Sequence, residues 1–221
     1  MGVLVAKKIS CVFLTFFLIA LMPCMAMAKE SRTSLEGKVI ILDPGHGGSD
    51  SGATAKNLTE KSLNLAVALR LEALLKKAKA TVYMTRRDDR DVSLEERVRF
   101  FHRYDAQAII SIHHNAKPYD EKADEVSVYR PSFATPEAKR LAKIVSQELV
   151  KSTGNPRGAL GPVDYYILVN SKSLPIVIAE PYFLTNKEHV ELLQKEETLQ
   201  LQAEAYYQAL VLFFDETYEI K

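Results

Sequence analysis

The sequence predicts a single α/β domain. Helix and strand patterns alternate over residues 29–221, which favours a sheet whose strands are connected by helices. No internal repeat or low-complexity stretch interrupts this alternation. The chain has 221 residues, of which 47% are hydrophobic and 26% are charged, as in an ordinary globular protein. This composition excludes a collagen, a disordered tail and a disulfide-rich toxin.

Four apolar runs predict buried strands, and a shorter segment predicts an edge strand. The four runs cover residues 38–42, 81–84, 108–112 and 175–179. Residues 125–129 form the shorter segment. Because helical patterns separate these segments along the chain, we expect them to come together in one sheet.

Four helices are predicted between and after these strands. Apolar side chains recur at spacings of three and four over residues 61–79, which indicates the crossover helix of a βαβ unit. A serine and a glutamate at capping-box spacing begin a second helix, over residues 94–104. Thr-Pro at one end and Gly at the other bound a third helix within residues 135–154. The fourth covers residues 197–214.

The first 28 residues have the features of a signal peptide. Two lysines precede an apolar run over residues 9–22, and residues 26–28 are Ala-Met-Ala, an A-x-A cleavage site. The apolar run is shorter than the ~20 residues that a membrane-spanning helix needs. We therefore expect residues 1–28 to be removed on export and residues 29–221 to form the mature domain; an uncleaved membrane anchor is the alternative.

Charge and cysteine content exclude several kinds of function. Lys+Arg 29 against Asp+Glu 28 gives a net charge of +1, so nothing argues for a nucleic-acid partner bound through its phosphates. Signal cleavage would remove two lysines and no acidic residue, which changes the charge to −1. It would also remove both cysteines, Cys11 and Cys24. The mature chain would then have no disulfide, thiolate nucleophile or cysteine-ligated zinc.

Two histidine-containing clusters follow predicted strands, at the strand ends where open α/β sheets bind ligands. Residues 43–48 are Asp-Pro-Gly-His-Gly-Gly, whose glycines allow tight turns around His46. Taken alone, this segment would equally suit a glycine loop with a surface histidine. Residues 111–116 are Ser-Ile-His-His-Asn-Ala. Because side chains alternate along a strand, only one of His113 and His114 can easily point at the site.

Two glutamates complete the candidate site. Glu60 lies at the start of the crossover helix, where a carboxylate also stabilises the helix dipole. Two histidines and one carboxylate are a familiar ligand set for catalytic zinc, although this spacing lacks the regularity of a helical His-Glu-x-x-His site. Glu180 ends an apolar strand, so burial could raise its pKa toward that of a general base. A glutamate that faces solvent at a sheet edge is the alternative.

Taken in order, these motifs resemble those of the zinc-dependent N-acetylmuramoyl-L-alanine amidases of bacterial cell walls. The shared motifs are the Asp-Pro-Gly-His-Gly-Gly loop, Glu60-Lys61, Thr85-Arg86, the Ser-Leu-Glu-Glu-Arg helix start at residue 93, the Ser-Ile-His-His-Asn-Ala segment and residues 175–186. The match covers about residues 38–214. It implies a single α/β domain with a mixed, mostly parallel sheet and helices on both faces.

The resemblance also implies a role for each candidate residue. His46, Glu60 and His113 would bind one Zn²⁺ per chain, and Glu180 would be the catalytic carboxylate. His114 occupies a position that is commonly a non-ligand in the family, so we place it outside the metal site.

Two positions depart from the family's common pattern. Ser127 stands about where many members carry a glutamate, and Val169 about where many carry an arginine. Both departures concern the groove that would bind the substrate rather than the metal site.

The implied reaction is hydrolysis of the amide that joins the lactyl group of N-acetylmuramic acid to L-alanine of the peptidoglycan stem peptide, by a zinc-activated water. The alternatives are a related zinc peptidase that acts within the stem peptide and a non-catalytic peptidoglycan-binding protein. We expect an exported enzyme of the periplasm or cell-wall space, with peptidoglycan as substrate. We expect neither nucleic acid nor, after signal cleavage, a membrane as partner; a regulatory protein partner, if one exists, is not identified by the sequence.

Overall fold

Within residues 35–220, which the computed structural model describes together with Gly2, six strands form a mixed central sheet. In chain order the strands are β1 (Val39–Pro44), β2 (Thr54–Ala55), β3 (Leu58–Thr59), β4 (Thr81–Met84), β5 (Ala108–Ile112), β6 (Val126–Arg130), β7 (Arg157–Pro162) and β8 (Ile176–Glu180). The helices are α1 (Glu60–Lys77), α2 (Leu94–Phe101), α3 (Pro136–Thr153), α4 (Tyr166–Val169), α5 (Lys187–Leu193) and α6 (Glu196–Phe214). The predicted signal peptide, apart from Gly2, lies outside the described residues.

The order of strands across the sheet is β4-β1-β5-β8-β6-β7, and β2 and β3 form a separate hairpin. β4, β1, β5 and β8 run parallel to one another, whereas β6 pairs antiparallel with β8 and parallel with β7. The predicted single α/β domain with a mixed, mostly parallel sheet is therefore confirmed.

The predicted edge position of residues 125–129 is wrong. This segment forms β6, which lies between β8 and β7, while β7 occupies the edge. β7 has the sequence Arg-Gly-Ala-Leu-Gly-Pro, and no continuous apolar run marks it as a strand. Glycine and proline are unfavourable within strands and are tolerated at an edge, which agrees with the position of β7.

Helices cover both faces of the sheet, as expected. α1, α3 and α6 bury one face in an apolar cluster that includes Leu71, Leu141 and Tyr206. α2 and α4 cover the other face, where Phe101 and Leu168 are buried. Neighbouring residues of each central strand enter opposite clusters because side chains alternate across the pleat. Among the described residues, no helix has the length and apolar character needed to cross a membrane.

The predicted helix ends are largely confirmed. Ser93 and Glu96 form both hydrogen bonds of the capping box before α2, although α2 ends at Phe101 rather than near residue 104. Thr135 caps α3, and Gly154 follows it in the left-handed conformation with φ 75°. The short helices α4 and α5 were not predicted, because neither is long enough to show a helical apolar period.

A fully buried ion pair connects β1 to α2. Arg97 of α2 donates to Asp43 Oδ1. Thr85 Oγ1 donates to the same carboxylate at 2.7 Å, and Ser111 Oγ donates at 2.7 Å to the other oxygen. Burial raises the pKa of Asp43, but Arg97 and the two hydroxyl groups lower it more, so the net shift is downward. Asp43 therefore stays charged inside the protein.

Two arginines hold the chain that leaves β1. Arg97 donates to the carbonyl oxygens of Pro44 at 3.0 Å and His46 at 2.7 Å. Arg86 donates to Pro44 O at 3.0 Å and to Gly45 O at 2.9 Å. Both guanidinium groups are almost completely buried, so these hydrogen bonds satisfy charges that have lost their contact with water. The loop is consequently fixed through three successive carbonyl groups.

We expect Asp43→Asn to lower the free energy of unfolding by about 3–5 kcal/mol, as for other buried ion pairs that lose one partner. The reason is that Arg97 would keep a buried charge without its counter-ion. Urea unfolding of both proteins at neutral pH, followed by circular dichroism, measures the difference. The matched control Asp88→Asn changes an exposed carboxylate of the same sequence region and should have little effect.

The pH dependence gives a second measurement of the same pair. Because the pKa of Asp43 is lower in the folded state, its stabilising contribution is present above the ordinary value of 3.8 and is lost as the pH falls through the lowered pKa. The difference in stability between parent and Asp43→Asn should therefore shrink in acid. Equal stability of the two proteins at neutral pH would contradict the interpretation.

Candidate metal centre

The three predicted metal ligands meet at the carboxyl ends of β1 and β5. His46 Nε2 lies 3.1 Å from Glu60 Oε1, and His113 Nδ1 lies 2.9 Å from the same oxygen. One ligand atom from each residue lies within 4.8 Å of the others. Two imidazole nitrogens and a carboxylate oxygen are donors that suit zinc. The structure thus brings together a cluster that could hold a metal ion.

The loop after β1 presents His46 in one orientation. His46 itself has a positive φ of 59°, and Arg97 donates a hydrogen bond to its carbonyl oxygen. Its Nδ1 lies 2.7 Å from Asp50 Oδ2. If Nδ1 carries the proton, it donates a hydrogen bond to this carboxylate, and the lone pair of Nε2 is then directed at the cluster. An acceptor on the outer nitrogen is the usual support of a metal-binding histidine.

Glu60 turns into the site from the first residue of α1. Its side chain is buried, which a role confined to the helix dipole would not require. Burial raises the pKa of Glu60, but hydrogen bonds and charge interactions with His113 and His46 shift it well below its usual range. Backbone N–H groups of Ala53 and His114 donate to its two oxygens at 3.0 and 3.2 Å. Glu60 is therefore an ionised, oriented carboxylate.

Two glycines allow the candidate ligands to approach the backbone closely. A Cβ atom on Gly45 would lie 2.2 Å from His113 Nε2, and one on Gly52 would lie 2.6 Å from Glu60 Oε2. Gly52 also has a positive φ of 61°, which disfavours other residues. Any side chain at these two positions would displace a group of the cluster.

The neighbouring histidines point to opposite sides, as the strand alternation predicts. His113 joins the cluster, whereas the ring of His114 lies in the interior and is 2% exposed. Its Nδ1 is 2.8 Å from Asn64 Oδ1 on α1. Burial lowers the pKa of His114 to about 4, so its ring is neutral at physiological pH.

Glu180 lies beside His113 at the end of an interior strand. The parallel register pairs Ser111 with Ile178 and Ile112 with Ala179, so His113 and Glu180 follow side by side on one face. Burial raises the pKa of Glu180 to about 7; the charges of His113 and His46 oppose this shift, and that of Glu60 adds to it. Glu180 is therefore not at a solvent-facing edge of the sheet, which was the alternative interpretation of the sequence. Glu180 is thus a carboxyl group that can hold or release a proton near neutral pH.

A cleft of about 390 Å³ borders the cluster. His46 and His113 form part of its wall, and Asp50, Asp91 and Leu94 also line it. Both histidine side chains are partly exposed to solvent, at 24% for His46 and 19% for His113.

The two departures from the family pattern lie in different places. Ser127 of β6 pairs in register with Glu180 and is buried, so this substitution lies directly beside the candidate catalytic carboxyl group. Val169 ends α4 and lines a separate cavity of about 340 Å³ with the exposed Phe133.

Sequence reasoning missed the residues that support the cluster, namely Asp50, Gly52 and Asn64. Asp50 and Gly52 stand in a polar loop where any of several residues could reach the site. Asn64 had a usable signal, because it is a polar residue one helical turn after Glu60 on an otherwise apolar face. Its contact with His114, however, joins segments that are far apart in the sequence.

Comparison with known proteins gives the same family as the motifs. The family model described as N-acetylmuramoyl-L-alanine amidase matches residues 40–211. The chain is 32% identical over 196 residues to the germination-specific N-acetylmuramoyl-L-alanine amidase of Bacillus subtilis (strain 168), and the match covers 82% of both chains. It is 29% identical over 188 residues to the amidase LytC of the same strain, which spans 85% of this chain and 38% of LytC.

Solved structures with the same fold are also amidases. An N-acetylmuramoyl-L-alanine amidase from Clostridium difficile 630 superposes with a TM-score of 0.77 at 28% identity, covering 81% of this chain and 98% of that one. The CwlD amidase from Clostridioides difficile, in complex with the GerS lipoprotein, gives 0.74 at 29% identity, with coverages of 80% and 98%. The chain therefore belongs to the family of N-acetylmuramoyl-L-alanine amidases, hydrolases that act on the bond between N-acetylmuramic acid and L-alanine in peptidoglycan.

Proposed function

We propose that this amidase is zinc-dependent, with His46, Glu60 and His113 as the metal ligands and Glu180 as the general base. The observation that carries the proposal is the convergence of three suitable donor atoms within 4.8 Å. Glu180 stands beside this cluster with its pKa raised to about 7. Family membership supplies the reaction, and the cluster supports these residues as the ones that perform it.

The donor set fits zinc in a catalytic rather than a structural site. Three protein ligands leave the fourth position of a tetrahedral site open, as in other zinc hydrolases. Zinc at this position would polarise the scissile carbonyl and make a water molecule more acidic. Asp50 supports the fit, because its carboxylate can accept a hydrogen bond from Nδ1 of His46, the outer nitrogen, and so leave the inner nitrogen Nε2 free to bind.

The chain's own groups would divide the proton transfers. Glu180 accepts a proton from the attacking water as the water oxygen bonds to the lactyl carbonyl carbon. It then donates this proton to the amide nitrogen as the carbon–nitrogen bond breaks, which releases the stem peptide with a free amino group on its L-alanine. A carboxyl group whose pKa lies near the working pH can perform both steps. Glu60, held ionised by its hydrogen-bond donors, is unsuited to them.

Product analysis tests the proposed reaction against the related zinc peptidase. The zinc-loaded protein is incubated with purified muropeptides, and the products are identified by mass spectrometry. We expect a free lactyl carboxylate and an intact stem peptide that begins with L-alanine. Fragments from within the stem peptide would indicate the peptidase. A non-catalytic binding protein would release nothing, and the presence of all four candidate residues argues against it.

We propose that residues 1–28 direct export and that the mature chain acts in the periplasm or cell-wall space. The substrate of the family, peptidoglycan, lies outside the cytoplasm, which supports this location. The CwlD amidase has been solved in complex with a lipoprotein, which supports a search for a regulatory protein that binds this chain as well.

Removal of either histidine ligand should strongly weaken zinc binding. We expect His46→Ala and His113→Ala to lose most of the bound zinc and the activity, because each variant lacks one of three protein ligands. Metal analysis of the purified, folded variants measures the loss. His102→Ala, which changes an exposed histidine outside the cluster, is the control and should keep its zinc. Normal zinc content in His113→Ala would show that another group is the ligand.

His114→Ala should keep its zinc and a substantial part of its activity. Its ring points away from the cluster, and the backbone N–H that donates to Glu60 is retained in the variant. We expect the zinc dissociation constant to rise less than the tenfold that is the lower limit for losing a group that orients a ligand. Competition with a chelating dye measures the constant, and a larger rise would refute this assignment.

Glu180→Gln should separate catalysis from metal binding. The variant keeps the shape of the side chain but cannot accept the proton, so we expect parent-like folding and zinc content with cleavage reduced by ~10²- to 10⁴-fold. Zinc content and muropeptide release are measured on one preparation. Near-parent cleavage would place the base elsewhere, and loss of zinc would make Glu180 a ligand and require the roles of Glu60 and Glu180 to be exchanged.

A further inference from the structure

We propose that Asn64 is a positioning residue that holds the three ligand-bearing segments in place around the metal site. The inference rests on the proposed function, since it concerns the ligands named there. Asn64 lies on α1 one helical turn after Glu60 and is 0% exposed. A primary amide at such a position destabilises the fold unless its donors and acceptor find partners.

The side chain of Asn64 contacts each of the three segments. Its Nδ2 donates to Gly45 O at 3.3 Å, in the loop that carries the first histidine ligand. The same nitrogen donates to Glu60 Oε1 at 3.4 Å. Its Oδ1 accepts from His114 Nδ1 at 2.8 Å, directly after the second histidine ligand. One amide thereby connects α1 with the segments that directly follow β1 and β5.

These contacts assign the orientation of the amide and of the neighbouring ring. Gly45 O and Glu60 Oε1 can only accept hydrogen bonds, so the NH₂ group of Asn64 must face them. The carbonyl oxygen then faces His114, which must donate from Nδ1. Reversal of either group would place two acceptors against each other in the interior, so these contacts favour Nδ1 as the donor of His114.

The contacts also indicate how strongly Asn64 should affect the zinc affinity. Both donor distances are at the long end of the hydrogen-bond range, so Asn64 acts by restricting where Glu60 and the histidine loop can lie. Ala53 and His114 would still donate to Glu60 in its absence. We therefore expect an effect near the lower limit of the ~10- to 100-fold range seen when a group that orients a metal ligand is removed.

The test compares the zinc affinity of Asn64→Ala with that of the parent protein. We expect the dissociation constant to rise by about tenfold or more. We also expect the visible absorption of the Co²⁺-loaded protein to change, because this spectrum reports the arrangement of ligand atoms. Asn64→Thr, which is closer in volume and whose hydroxyl can bond the helix backbone, is the second variant and should show the same two changes.

Leu71→Ala is the matched control. It removes a fully buried side chain about three helical turns after Glu60 on the same helix, so it should lower the stability while leaving zinc affinity and Co²⁺ absorption unchanged. Suppose that the parent binds zinc and cleaves muropeptides, and that the zinc dissociation constant rises less than tenfold in both folded Asn64 variants. This result would overturn the role of Asn64 but not the proposed function. A parent that neither binds zinc nor cleaves would instead overturn the proposed function.

Discussion

The buried ion pair of Asp43 and Arg97 is the constraint on which the site depends. Two charges in the interior destabilise a fold unless all their hydrogen-bonding groups are satisfied. Here the carboxylate accepts hydrogen bonds from Arg97 and two hydroxyl groups, and Arg97 also donates to the carbonyl oxygens of Pro44 and His46 in the loop that follows β1. The same hydrogen bonds that make the burial tolerable therefore determine where the histidine loop leaves the sheet.

The two glutamates of the site have opposite pKa shifts because their surroundings differ. Glu60 is buried among hydrogen-bond donors, which hold its pKa below the usual range and keep it anionic. Glu180 is buried beside the same histidines, but desolvation outweighs their charge and raises its pKa to about 7. Two carboxyl groups whose surroundings shift their pKa values in opposite directions typically have different roles in an active site. The proposed division into a metal ligand and a proton carrier is consistent with this difference in pKa.

The sequence was sufficient to predict those structural elements that depend on interactions between residues close together in the chain. The apolar runs of the central strands, the capping box at Ser93 and the cap at Thr135 depend on neighbouring residues and were predicted correctly. The interior position of β6 was not, because it depends on pairing with β7, whose glycines and proline conceal a strand. The residues around the candidate ligands were missed for a related reason. The pairing of Asn64 with His114 spans fifty residues and has no local pattern.

The register between β6 and β8 explains why a neutral residue beside Glu180 is compatible with the proposed chemistry. Ser127 lies opposite Glu180 on the antiparallel neighbour and is buried there. A second carboxylate at this position would add a like charge and raise the pKa of Glu180 further above its present value of about 7. A hydroxyl group adds no charge. With serine at position 127, the pKa of Glu180 therefore stays at about 7. A carboxyl group with this pKa can both accept the proton of water and return it to the leaving amine, as the proposed function requires.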